Sequence, residues 1–214
     1  MKNSSKKLLS VILVLSLILP GVILAVGGGD GNPNLKTPQD SLKRWRALRV
    51  GAFIHWSPAV LNHLPTHAGE RRDIMKQFRA EKFDPKEWVQ MFKEAGFKYI
   101  VFTTKHGDQV CMWDSKVSDR NVMNTPMKRD VVGELVAECK KQGVEFCPYY
   151  NQVLKHDKER MKEITENYGP FLAWWFDQMD LDWTHEIGTD FYAYIRSLQS
   201  NVLQSNRVDT PNDR

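Results

Sequence analysis

Phe171-Leu-Ala-Trp-Trp-Phe-Asp177 is an unbroken apolar and aromatic run that stops on a carboxylate, and it follows the breaker Gly169-Pro170. Six consecutive apolar residues without polar alternation predict a strand buried on both faces, the pattern of parallel sheets. Parallel α/β barrels carry their catalytic groups at the C-terminal ends of strands, which makes Asp177 a candidate site residue. An Asp here can equally well open the next loop, and the run alone leaves both readings standing. The other strands of the chain tip the balance.

Upstream, apolar strands alternate with amphipathic helices. Residues 50–54 read as a first strand ending on His55-Trp56, followed by an irregular segment through Glu81. A helix over 84–95 has Asp84 at its N-cap, Pro85 at its first position and Gly96 past its end, with Trp88, Met91, Phe92 and Ala95 at helical spacing. A strand over 97–103 leads into Lys105-His106-Gly107-Asp108. Then come a helix over 130–142 stopped by Gly143, a strand over 144–150 and a charged helix over 155–168. Beyond Asp177, a helix over 189–199 precedes a weak strand near 202–206. Strands joined by helical crossovers make a parallel sheet. The expected fold class is therefore α/β, a TIM-barrel-like (β/α)8 catalytic domain that reaches only about five strands. Such barrels need roughly 250 residues, and the chain has 214. No glycine-rich phosphate loop follows the first strand, so a dinucleotide-binding domain is not supported.

The formal net charge of +4 overstates the basicity, because Lys2, Lys6 and Lys7 lie in a segment read as removable. The remainder is near neutral without a basic stripe, and nucleic acid is not an expected partner. A Lys-bearing start, the apolar run over 8–26 and the small residues Ala25-Val26-Gly27 predict a signal peptide over 1–27 and export, secreted or periplasmic. An uncleaved N-terminal membrane anchor is the alternative. Residues 28–40 then form a Gly/Pro-rich linker and residues 41–214 the barrel portion. The three cysteines, Cys111, Cys139 and Cys147, show neither a disulfide framework nor a zinc spacing. Cys147 reads as a small buried hydrophobe.

The strand ends present His55-Trp56, Lys105-His106-x-Asp108 with Trp113-Asp114 nearby, Tyr149-Tyr150, and Trp175 with Asp177. In a parallel barrel these gather on one rim. His55-x-Ser57 and His106-x-Asp108 lack paired-His spacing, so neither a metal nor another cofactor is expected.

Taken in order, Phe53-Ile-His-Trp56, Phe83-Asp-Pro-x-x-Trp88, Ala95-Gly-Phe-Lys-Tyr99 and Thr103-Thr-Lys-His106 resemble the N-terminal half of the family 29 glycoside hydrolases, the α-L-fucosidases. The resemblance continues through Trp113-Asp-Ser115, Lys128-Arg-Asp130, Tyr149-Tyr150, Asn167-Tyr-Gly-Pro170, Trp175-Phe-Asp177 and Asn206-Arg207, covering residues 41–207. It implies a retaining glycosidase that removes terminal α-L-fucose from oligosaccharides or glycoconjugates. Asp177 would be its nucleophile, with His55, Trp56, His106, Trp113, Tyr150 and Trp175 shaping the sugar pocket.

Departures from the family pattern are also visible. Gly107 replaces an imidazole that binds a sugar hydroxyl, and a lost partner of that kind costs about 1–3 kcal/mol. Gln178 follows the nucleophile where the family has Gly. The acid/base of the family lies downstream of the fifth strand and is expected beyond Arg214, with Asp180, Asp182 and Glu186 read as loop carboxylates. Two alternatives follow: a catalytically inactive sugar-binding barrel, or a barrel glycosidase for a different sugar. An unclosed sheet would also leave an edge open to self-association.

Overall fold

The structure is a computed structural model that describes residues 35–61, 72–154, 157–179 and 184–205. The proposed signal segment, residues 28–34 of the linker, Asp180, Asp182 and Asn206-Arg207 lie outside the described residues. Among the described residues no helix is long and apolar enough to cross a membrane.

The elements run α1 (Gln39–Leu48), β1 (Gly51–Ile54), α2 (Pro58–Leu61), α3 (Arg72–Gln77), α4 (Pro85–Glu94), β2 (Tyr99–Lys105), a 3-10 turn (Val122–Asn124), α5 (Val131–Gln142), β3 (Glu145–Val153), α6 (Lys158–Tyr168), β4 (Ala173–Met179), α7 (His185–Leu198) and β5 (Leu203–Gln204). The five strands form one sheet in the order β1-β2-β3-β4-β5, every neighbour parallel. This is the α/β architecture expected from the strand–helix alternation.

Strand side chains alternate between two faces, and each face has its own core. Ile100, Phe102, Phe146, Tyr150, Trp174 and Phe176 join Val89, Leu135, Ile164 and Phe191 of the covering helices in the larger cluster. Val101, Cys147, Tyr149, Ala173 and Leu203 form a smaller cluster on the opposite, inner face, with Leu42 and Trp45 of α1 packed against it. Cys147 is buried there as a free thiol, as its sequence context predicted.

The helix termini match their local signals. The Asp84 carboxylate accepts from the Lys86 and Glu87 amides at 2.9 and 3.1 Å, and Asp130 accepts from the Gly133 amide at 2.9 Å. Gly143 takes a left-handed φ of 73° at the end of α5.

Several boundaries differ from the sequence reading; β3 runs on to Val153 and α7 starts four residues early, at His185. β4 begins at Ala173 and runs past Asp177 to Met179, so the carboxylate sits within a strand and not at its end. The α1 helix starts at Gln39, inside the segment read as linker, and α3 occupies part of the segment read as irregular. Helix α1 has a single buried residue, Ser41, and only a short apolar stripe, with Leu42 and Trp45 half-buried against the inner core. Polar and aromatic tertiary contacts also hold it. The Ser41 hydroxyl donates to the Asn201 carbonyl at 2.5 Å, Arg44 pairs with Glu145, and the Trp45 and Tyr99 rings lie 4.4 Å apart.

Candidate active site

The inner face gathers side chains from the C-terminal parts of four strands. Phe53 lies on β1 and His55 just beyond it, His106 follows β2, Tyr149 and Asn151 lie on β3, and Trp175 and Asp177 on β4. The β3–β4 register sets Tyr149 beside Trp175 and Asn151 beside Asp177. The end of β1 is fixed by Thr103, whose hydroxyl accepts from the Trp56 amide at 2.9 Å and donates to the Trp56 carbonyl at 2.6 Å.

Asp177 is held directly. The Tyr149 hydroxyl donates to its Oδ2 at 2.7 Å. The Tyr149 ring in turn packs against His55 at 5.0 Å and against His106 at 5.9 Å. The two imidazoles meet edge to face at 5.3 Å. Phe53 completes the wall, stacked on His55 at 4.8 Å and edge-on to Trp175 at 5.4 Å. Asn151 Nδ2 lies 3.3 Å from His106 Nε2. Burial lowers the His55 pKa and the Asp177 charge only partly opposes it. His55 is therefore a neutral imidazole at pH 7, able to donate one hydrogen bond and accept another.

Three expected pocket residues lie elsewhere, and strand alternation explains two of them. With His55 facing inward, Trp56 faces the helices, stacking on Phe83 at 5.3 Å and meeting Trp88 at 5.1 Å. With Tyr149 facing inward, Tyr150 is fully buried on the helix side beneath the Lys105 ammonium, 4.5 Å from its ring centroid. Trp113 is also fully buried in the helix-side core, its indole N–H donating to Glu163 Oε2 at 2.7 Å. Glu186 is exposed in the first turn of α7, as a solvated carboxylate should be.

Phe53 and Asn151 are candidate site residues that sequence reasoning missed, and Tyr149, which it placed on the rim, takes the position it assigned to Tyr150. The signal for this arrangement was the period of two itself. Once Asp177 faces inward so does Trp175, and the parallel register then selects Tyr149 over Tyr150. Among the described residues no group of three His, Cys, Asp or Glu is placed to hold a metal ion. What the face offers is one carboxylate held by a phenol, two imidazoles and aromatic walls. Such a surface suits a polyhydroxylated ring: donors and acceptors for its hydroxyls, apolar faces for its C–H bonds, and an oxygen nucleophile for its anomeric carbon.

A family model described as Alpha-L-fucosidase matches residues 61–213. The chain is 25% identical over 190 residues to Alpha-L-fucosidase 1 of Arabidopsis thaliana, an alignment covering 80% of this chain and 37% of that protein. Among solved structures it resembles alpha-L-fucosidase AlfC from Lactobacillus casei in complex with alpha-L-fucose product. That match has a TM-score of 0.68 at 25% identity and covers 80% of this chain and 71% of the other. It also resembles a family 29 fucosidase of Bacteroides thetaiotaomicron, solved as a trapped covalent intermediate with 2-fluoro-fucosyl fluoride. Here the TM-score is 0.67 at 25% identity, over 80% of this chain and 49% of that one.

Proposed function

The chain belongs to the alpha-L-fucosidase family, and on that premise we propose that it carries the nucleophile half of a retaining site for terminal α-L-fucose. It spans 37% of the length of the Arabidopsis relative, so the activity of the whole protein belongs to this proposal. Asp177 attacks the anomeric carbon of the sugar while the glycosidic C–O bond breaks and the leaving oxygen takes a proton. Water then cleaves the glycosyl ester with retention. The observation that carries this reading is the Tyr149–Asp177 hydrogen bond of 2.7 Å, set beside the paired imidazoles. A hydroxyl donor holds the attacking oxygen in place. His55, His106 and Asn151 supply partners for sugar hydroxyls, and Phe53 and Trp175 supply the apolar wall. The substrate would be a fucosylated oligosaccharide or glycoconjugate.

Retention requires a second carboxyl group about 5 Å from the first, and the inward-facing residues described above contribute only Asp177. A fluoride leaving group departs without protonation, so labelling with 2-fluoro-fucosyl fluoride tests the nucleophile independently of the acid. The expected product is a 2-fluoro-fucosyl ester on the peptide bearing Asp177, with fluoride released, found by mass spectrometry and absent in Asp177→Asn. A label on another residue, or none despite sugar binding, removes Asp177 from the role.

The replacement at Gly107 favours a second reading, a sugar-binding barrel without turnover. Calorimetric binding of fucose with no label on Asp177 would be its signature. Export is part of the proposal as well, resting on the apolar run over 8–26. N-terminal sequencing of expressed protein should begin just past Gly27, whereas an intact, membrane-bound N-terminus would mean an anchor.

A further inference from the structure

Residues 103–105 do not follow simple strand alternation. Thr103 lies beside Tyr149 but Lys105 lies beside Tyr150, so two steps along β2 match one step along β3. This is a β-bulge, a device that re-aims the side chains after it. The Thr104 hydroxyl fills it, donating to the Tyr149 carbonyl at 2.8 Å. Without the extra residue, Lys105 would face the inner wall and His106 the helices. With it, Lys105 turns outward and His106 turns inward to Asn151 and His55.

The outward side is held by charge. The Lys105 ammonium is fully buried, 3.6 Å from Asp157 Oδ2 and 4.5 Å above the Tyr150 ring. Asp157, also fully buried, accepts from Arg160 Nη1 at 2.7 Å and from the Leu154 amide at 2.9 Å. Lys105 also donates to Gln109 Oε1 at 2.6 Å, across the turn closed by the Gln109 amide on the His106 carbonyl at 2.9 Å. Gln109 adopts a left-handed φ of 60°, a conformation that disfavours a non-glycine residue. Its side chain thus holds the far end of the turn that His106 begins.

We propose that the buried Lys105–Asp157–Arg160 cluster, with Gln109, is a positioning device that selects the bulged register and turns His106 onto the sugar-facing side. The sugar-facing role of His106 rests on the fucosidase reading, but its orientation does not. Two variants separate positioning from bulk stability. Lys105→Met keeps the buried volume and removes the charge. Gln109→Gly deletes the clamp while relieving the left-handed backbone, which offsets part of the lost hydrogen bond, so it should stay folded.

The first readout needs no sugar: the nuclear Overhauser contact between the His55 and His106 rings in the 214-residue chain. It should be present in wild type, weaken in both variants, and be accompanied by shifted His106 resonances. The second readout is fucose affinity by calorimetry, expected to fall about tenfold or more, as when one partner of a polar contact is lost. An unchanged ring contact in a folded Gln109→Gly and a folded Lys105→Met overturns the proposal. If Lys105→Met fails to fold, Gln109→Gly decides alone. Loss of the ring contact in a chain whose wild type binds no fucose would uphold the positioning device and sink the sugar reading.

Discussion

Asp177 has a partner that sets its behaviour. The Tyr149 hydroxyl is its donor at 2.7 Å, and Tyr149→Phe removes that donor without changing the packing of the ring. Loss of one hydrogen bond to a charged group is worth about 1.5–3 kcal/mol. The rate of labelling by 2-fluoro-fucosyl fluoride should therefore fall roughly one to two decades, with the unfolding midpoint little changed. Two other groups make stability depend on pH, each raising it with pH but in separate windows. Burial depresses the His55 pKa below 6.5, so the unfolded chain takes up this proton first as pH falls. Stability should drop below pH 6.5 and level off once the folded imidazole also titrates, and His55→Gln should flatten that limb in urea titrations. Burial also lowers the Lys105 pKa, from 10.5 to about 8, against the pull of Asp157. Between those values the unfolded chain holds the extra proton. Stability should accordingly rise with pH across that window, and the rise should vanish in Lys105→Met.

Among the elements, α4 and α5 were the most legible in sequence, because their caps are local chemistry. Asp84, Asp130 and Gly143 act within four residues of their own position. Gly143 offers a clean measurement, since a Cβ built there meets nothing within 4 Å and only its φ of 73° resists substitution. Gly143→Ala should cost about 1 kcal/mol in urea unfolding from backbone strain alone. A much larger loss would reveal a packing role that the open space argues against. The strands β2, β3 and β4 were also visible, as apolar runs. Helix α1 was not, because Trp45, Arg44 and Ser41 find their partners at Tyr99, Glu145 and Asn201, far along the chain. Pairings at such separation leave no periodic trace.

At the scale of the molecule, the sheet has one covered face and one partly open face. Among the described residues β1 and β5 lie at the ends of the strand order, and Phe53 on the inner side of β1 is 43% exposed. Exposed aromatic surface beside an unpaired strand edge favours association. The chain should accordingly form concentration-dependent oligomers in light scattering, and Phe53→Ser should reduce them. A monodisperse monomer at all concentrations would remove this expectation.

Composition, cap residues and apolar runs were enough to read the α/β class and the parallel sheet and to single out Asp177 as a candidate, because each depends on neighbours a few residues apart. Facing direction was decided only in three dimensions. Of the adjacent pairs His55-Trp56 and Tyr149-Tyr150, one member of each serves the inner face while the other is packed among the helices. A strand sends successive side chains to opposite sides, and the register of its neighbour determines which is which. The bulge before Lys105 then shifts that count by one, which a linear sequence does not display.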